Sequence, residues 1–188
     1  MAEPTTPQTT EQNDGALERV VGRARQLSRY AAWASGYAVL ACAALIGIEI
    51  VLRKLFSVSL QGTDEISGYV LVVTFAWTAS WALFRDAHIR IDLVSSRLPP
   101  GPRRAFDLLA LASLVGVAML LAWQASTVLG ESLRLGSVSN TPLRVPLWLP
   151  QGMWLIGLVG FALAAAILLT ARLFRQAPPP PSDVMDER

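Results

Sequence analysis

The stretch that decides the fold runs from residue 108 to residue 130 and reads LLALASLVGVAMLLAWQASTVLG. It holds no charged side chain and is long enough for a helix to cross the hydrocarbon core of a bilayer, which takes about 20 apolar residues. A helix on the core of a water-soluble protein would show a continuous polar face at helical spacing, and this stretch has none. It therefore predicts a transmembrane helix.

Three further apolar runs of spanning length occupy residues 30–52, 66–84 and 145–171. Glu49 is the only charged residue in any of the four runs. Pro146 and Pro150 would distort the beginning of the last run, so its regular helix is expected over about 148–171. The sequence thus predicts an all-α, polytopic membrane protein with four transmembrane helices.

The four runs and their connections leave no room for a separate soluble domain in a chain of 188 residues. We expect one membrane domain over residues 17–175. The tails, residues 1–16 and 176–188, lack apolar periodicity, which predicts disorder. Residues 17–29 alternate apolar side chains and arginines at helical spacing, which predicts an amphipathic helix on the membrane surface. The connection around residues 89–93 is expected to be a second interfacial segment.

Positive charge is unevenly divided between the two sides of the membrane that four crossings define. Of the 16 lysines and arginines, 12 fall in the two tails and the middle connection, which share one side. The other side carries Arg53, Lys54, Arg134 and Arg144. The positive-inside bias therefore places both termini in the cytoplasm, an N-in/C-in topology. The net charge of +2 is small, so the lipid bilayer is the expected partner and nucleic acid is not.

Glu49 is the sharpest functional candidate, because an ionisable residue inside a span is costly and is often functional. It lies about 28 Å along a helix from Tyr30, which places it near the outer interface of the membrane. A proton-coupled site is expected near the midplane instead. We therefore expect Glu49 to pair with Arg53, one turn later, and to anchor the outer ends of the first two spans together with Glu65.

The single histidine, His88, follows the second span together with Arg85 and Asp92. A metal site needs three or four ligands and a haem held between helices generally needs two, so one histidine predicts neither. These three residues are expected to anchor the inner end of the span, as Trp148 anchors the outer start of the fourth. The sequence also lacks a GxxxxGK[ST] phosphate loop and a nucleophile–base arrangement, so no catalytic centre and no cofactor are expected.

Several short segments stand in a characteristic order along the chain. They are EIVLR at residues 49–53, DEI at 64–66, RDAHIRIDL at 85–93, Leu98-Pro99, and PLWLPQG at 146–152. In this order and spacing, over about residues 25–175, the chain resembles the small membrane subunit of tripartite ATP-independent periplasmic (TRAP) transporters, the DctQ-type family. The tryptophan that usually precedes the acidic pair of the second span is absent, and Gly62-Thr63 stand in its place.

The resemblance implies a three-part importer that uses an ion gradient to take up organic acids, above all carboxylates. A periplasmic substrate-binding protein would deliver the substrate, and a large elevator-type membrane subunit would hold the sites for substrate and for sodium or protons. This chain would be the small, stationary scaffold subunit in the bacterial inner membrane. The residues that would fix its helices or contact the partner are Glu49, Arg53, Glu65, Arg85, His88, Asp92 and Trp148.

Two other classes of protein stay open. A self-contained four-helix exporter coupled to protons also carries a glutamate in its first span, but there protons and cationic drugs must compete for it. A membrane anchor subunit of a quinone-linked oxidoreductase fits the number of spans, although the single histidine disfavours haem. Neighbouring genes for a large permease and a secreted binding protein would separate the importer from both.

Overall fold

The computed structural model describes residues 8–86 and 100–174, and these residues form four helices. In chain order the helices are α1 (Gln8–Phe56), α2 (Thr63–Asp86), α3 (Pro100–Leu135) and α4 (Trp148–Phe174). Each contains a segment long and apolar enough to cross a membrane, and no regular strand occurs in the described ranges. In these ranges the prediction of an all-α chain with four helices long and apolar enough to cross a membrane is confirmed.

Helix α1 is longer than the sequence predicted at its start. It runs without interruption from Gln8 to Phe56, so helix covers residues 8–16, where disorder was expected, and continues through residues 17–29 into the apolar run. The physical reason is that adding residues to an existing helix costs far less than starting a new one. The predicted interfacial position of residues 17–29 stays a prediction.

Several predictions fall on residues outside the described ranges. The expected interfacial segment at 89–93 lies there, as do the tail residues 1–7 and 175–188. Helix α3 begins at Pro100, so Pro102 lies in its first turn, where a missing backbone N–H costs nothing. Helix α4 begins at Trp148, so Pro150 lies within its first turn.

The helices lie side by side in the order α1, α2, α4, α3, which differs from their order in the chain. Helix α1 packs along α2, α2 packs along α4, and α4 packs along α3, whereas α1 and α3 share no extensive contact. The arrangement is therefore an open row rather than a closed bundle. Helices α2 and α4 occupy the middle, and α1 and α3 form the two edges.

Both edge helices pack through positions spaced seven apart, most of which carry small residues. On α1 the covered positions include Ser28, Ser35, Cys42 and Glu49. On α3 they are Leu111, Ala118, Ala125 and Ser132, all buried. A seven-residue spacing keeps one side of a helix facing its neighbour, and small side chains let the two backbones approach. Most of the remaining surface of each edge helix is exposed and apolar.

The core lies where α2, α4 and α3 meet. It contains Ala76, Ala125 and Leu158, with Trp77 and Trp154 packed against them. The Trp77 indole Nε1–H donates a hydrogen bond of 2.8 Å to the backbone carbonyl of Met153. This bond needs the ring to lie close against α4, and Gly157 leaves the space for it: a methyl group at Gly157 would lie 2.5 Å from Trp77 Cδ1.

Candidate functional site

The two short connections of the described chain lie at the same end of the row, which we call the loop end. They are residues 57–62, between α1 and α2, and residues 136–147, between α3 and α4. The opposite end, where α2 ends at Asp86 and α3 begins at Pro100, is called the far end. The loop end holds most of the polar side-chain contacts between elements, and it is the candidate site.

Glu49 ties the first connection to the end of α1. Its carboxylate accepts a hydrogen bond of 2.8 Å from the Ser59 hydroxyl and a second one from the hydroxyl of Thr63. Thr63 is the first residue of α2 and is buried, with 6% of its surface exposed. One carboxylate therefore joins α1, the connection and the start of α2.

The structure differs here from the predicted Glu49–Arg53 ion pair. The hydroxyls of Ser59 and Thr63 hold the Glu49 carboxylate, and Arg53 is exposed and adds only a weaker electrostatic attraction. The reason is the path of the connection, which turns back over the last turns of α1 and brings its hydroxyls onto the carboxylate. Helical spacing alone could not reveal that path.

Glu65 ties α2 to the second connection. Its carboxylate accepts a hydrogen bond of 2.6 Å from the Tyr69 hydroxyl and another from the hydroxyl of Thr141. The hydroxyls of Ser139 and Thr141 lie 3.0 Å apart, and the Thr141 backbone N–H donates to the Ser139 hydroxyl. Glu65 thus belongs to a separate cluster from Glu49, rather than joining the predicted pair.

The second connection is itself an ordered hairpin. The Ser139 N–H donates to the Val145 carbonyl over 2.9 Å, and the Leu147 N–H donates to the Ser137 carbonyl over 3.0 Å. A turn closes it, with the Arg144 N–H donating to the Thr141 carbonyl. Since its backbone groups bond to one another, the connection can present Thr141 to Glu65 in a fixed position.

The two connections touch at Gly62 and Leu143. Gly62 has a φ of +110°, which side chains disfavour, and a methyl group there would overlap the Leu143 side chain. We expect Gly62→Ala to lower the thermal midpoint of the purified protein in detergent by more than Gly136→Ala does. Gly136, with a φ of +60° and open space around it, bears only the left-handed backbone cost of about 1–2 kcal/mol.

A second variant separates the two causes. Adding Leu143→Ala to Gly62→Ala removes the overlap but not the backbone strain, so it should restore part of the lost midpoint. Equal midpoints for the Gly62→Ala and Gly136→Ala proteins would show that the contact between the connections is unimportant for stability.

The structure brings together some of the predicted site residues and separates others. Glu49, Arg53, Glu65 and Trp148 lie at the loop end, and Arg85 lies at the far end, with its guanidinium 5.8 Å from the centre of the Trp81 ring. His88 and Asp92 lie outside the described residues.

Sequence reasoning missed the partners of the two carboxylates. The missed hydroxyls belong to Ser59, Thr63, Tyr69, Ser139 and Thr141. The sequence did contain a sign of these contacts, because both connections are rich in hydroxyl residues and each lies close to the end of a helix that carries an acidic residue. A further missed contact at the far end is the ion pair of Asp107 with Arg172, 3.5 Å long, which joins α3 to α4.

At the loop end, the Glu49 and Glu65 carboxylates hold the connections in place through hydroxyl hydrogen bonds, and we call these two clusters the loop-end clasp. Each carboxylate accepts from two hydroxyl groups of the protein, and at least one of the two comes from a neighbouring element or connection. In the described part of the chain, no group of three or more His, Cys, Asp and Glu side chains is placed to hold a metal ion.

Comparison with known families gives one match. The sequence model described as tripartite ATP-independent periplasmic transporters, DctQ component, matches residues 42–176, which include both carboxylates and helices α2, α3 and α4. No curated protein and no solved structure matches the chain.

Proposed function

This chain belongs to the DctQ component family of tripartite ATP-independent periplasmic transporters, and from that premise we propose that it is the stationary scaffold subunit of an importer. It pairs in the bacterial inner membrane with a large membrane subunit that carries substrate across as an elevator. A periplasmic binding protein delivers the substrate, an organic acid and above all a carboxylate.

The observation that supports a scaffold role most strongly is the use of Glu49 and Glu65. Both carboxylates are committed to hydroxyl groups that hold the connections in place. A transport site must exchange its bound ion or proton during each cycle, and such exchange would break the bonds that order the loop end. The two acids therefore fit a fixed frame better than a coupling site.

The charge pattern supports an orientation for this frame. Both termini and the connection at residues 87–99 carry most of the arginines, so the far end faces the cytoplasm and the loop end faces the periplasm. Arg85 over Trp81 and Arg29 over Tyr30 are then suited to the inner membrane interface. Aromatic and cationic side chains at this level resist displacement across the bilayer, as a stationary subunit requires.

In this proposal the large membrane subunit couples transport to the ion gradient. The sodium or proton gradient acts on sites in the large subunit, and this chain binds no cofactor of its own. The far-end ion pair and the loop-end clasp join α3 to α4 and α2 to the second connection. The row can therefore act as one body against which another subunit moves.

The experiment is a purification of the tagged chain from native membranes in mild detergent, followed by mass spectrometry of the proteins that accompany it. We expect a large multispan permease in stoichiometric amount. A homodimer without such a partner would overturn the proposal and would return Glu49 to consideration as the coupling residue of a small exporter. Accompanying redox subunits would instead identify an oxidoreductase anchor.

A further inference from the structure

The edge helix α3 presents a face with polar groups on the side turned away from α4. Its buried positions, spaced seven apart, face α4 and the core. The remaining sides of the helix are exposed, and we call one exposed strip of them the Gln124 face. It comprises Ser113, Val117, Leu120, Gln124, Thr127 and Glu131.

Gln124 is the carboxamide on this face, and its side-chain polar groups are unused within the described residues. Its neighbours Ser126 and Thr127 donate their hydroxyl protons to the carbonyls of Trp123 and Gln124, each over 2.7 Å. Such bonds to the helix's own backbone let a hydroxyl face lipid. The side-chain amide of Gln124 offers two N–H donors and one acceptor, and it has no partner among the described residues.

The position of Gln124 along α3 determines whether its side-chain amide lies in water or in the membrane. Glu131 is exposed on the same face, and its charge marks the level of water or headgroups. Gln124 precedes it by two turns, or about 10 Å along the helix, which is farther than a glutamine side chain can reach. The amide therefore lies in the hydrocarbon region, where lipid tails provide no hydrogen-bonding partner.

The other edge of the row lacks such a group. The side of α1 turned away from α2 carries Tyr30, Trp33, Tyr37 and Leu40, which are between 57% and 67% exposed. These side chains suit lipid and its interface. Gln124 is the one exposed carboxamide in the four apolar runs, all of which lie in the described ranges. The two edges therefore differ in the partner that they fit.

We propose that the Gln124 face of α3 is the docking surface for a transmembrane helix of the large membrane subunit. The Gln124 amide forms a hydrogen bond with a polar side chain or an unpaired backbone carbonyl of that helix, and Val117 and Leu120 pack beside it. Polar residues of this kind join helices in membranes because lipid cannot replace their partners. The identity of the partner rests on the proposed function; the location of the surface rests on α3 itself.

The test places a photo-crosslinking amino acid at Leu120 in the full chain, expressed with its neighbouring genes, and irradiates native membranes. Leu40 on the exposed face of α1 is the matched control, since it is also a leucine on an edge helix and is 67% exposed against 58% for Leu120. We expect an adduct with the large subunit from position 120 and no protein adduct from position 40. An adduct with a second copy of this chain at 120, or a large-subunit adduct from 40 alone, would overturn the inference.

A second measurement uses the amide itself. Gln124→Leu should weaken retention of the large subunit during dilution in detergent by about threefold to tenfold, the range expected for loss of one hydrogen bond between helices. Gln124→Asn, which keeps an amide, should retain more of it. If the unmodified chain retains the large subunit and both variants do so equally, the docking surface is wrong while the scaffold function stands. If the unmodified chain retains no large subunit, both proposals fail.

Discussion

A protein with alanine in place of Gly157 is expected to unfold several degrees below the unmodified protein. The added methyl group would lie 2.5 Å from Trp77 Cδ1 and 2.8 Å from Ala76 Cβ, inside the contact distance of carbon atoms. Neither neighbour is the end of a flexible chain, since the indole is rigid and Ala76 is buried at the centre of the row. Overpacking of this kind costs about 1–3 kcal/mol.

Gly157→Ala is expected to affect more than the local contact, because Trp77 joins the two middle helices, α2 and α4. If the ring moves away from α4, its Nε1–H loses the carbonyl of Met153 as an acceptor. An indole N–H left without a partner adds to the cost, because lipid tails offer it no acceptor. We therefore expect the contact between α2 and α4 to loosen and the whole row to lose stability with it.

Gly160→Ala is the matched control for this substitution. Gly160 lies one turn farther along α4, and a methyl group there would lie 3.8 Å from the Ser80 hydroxyl oxygen, an ordinary contact. Both substitutions gain the same helix propensity, roughly 0.5–1 kcal/mol, so their difference isolates the overlap. Thermal midpoints in detergent, followed by tryptophan fluorescence, measure it. Equal midpoints for the two variants would show that α2 and α4 are not held together at Gly157.

Glu49→Ala is expected to reduce both substrate uptake and recovery of the assembled transporter by about tenfold, the scale of losing hydrogen bonds to a charged acceptor. Removing the carboxylate leaves the Ser59 hydroxyl without its acceptor and the Thr63 hydroxyl with the Leu60 carbonyl alone, which loosens the first connection from α1. Uptake of radiolabelled organic acids into cells and the yield of the purified complex measure the two losses.

Two further variants decide what Glu49 does. Glu49→Gln keeps an amide carbonyl oxygen that can accept from the hydroxyls. If the role of Glu49 is to hold the first connection, this variant should retain much of the assembly and uptake. If Glu49 instead exchanged protons or ions, the glutamine protein would assemble normally and transport nothing. Arg53→Ala should change little, because Arg53 is exposed and the hydroxyls hold the carboxylate. A large loss of uptake and assembly in the Arg53→Ala protein would instead support the predicted Glu49–Arg53 ion pair.

The elements that the sequence predicted well are those that depend on one local property. The apolar runs around residues 108–130 and 66–84 are helices because a bilayer-spanning segment must satisfy its own backbone hydrogen bonds. The position of Glu49 near the end of its span also follows from simple arithmetic of helical rise, and its structural role stays a prediction. The order of short segments also indicated the family, which the family comparison confirmed.

The partners of Glu49 and Glu65 could not be predicted in the same way. Thr141 lies 76 positions from Glu65 in the chain, and the two meet only because α4 packs against α2 and carries the hairpin with it. Helical spacing led to Arg53 as the partner of Glu49, since spacing reports neighbours on one helix and not the return path of a connection. A carboxylate near an interface can accept from whichever donor the folded chain supplies.

The sequence by itself determined that this chain is four membrane-spanning helices with two acids at one end, because hydropathy and helical rise act along the chain and need no knowledge of neighbours. Tertiary structure alone decided the row order α1, α2, α4, α3, the position of Trp77 against Gly157, and the exposure of Gln124. These features depend on which faces of the helices fit together. Between helices in lipid, that choice is made by close packing and hydrogen bonds rather than by hydrophobicity, which is the same on every side.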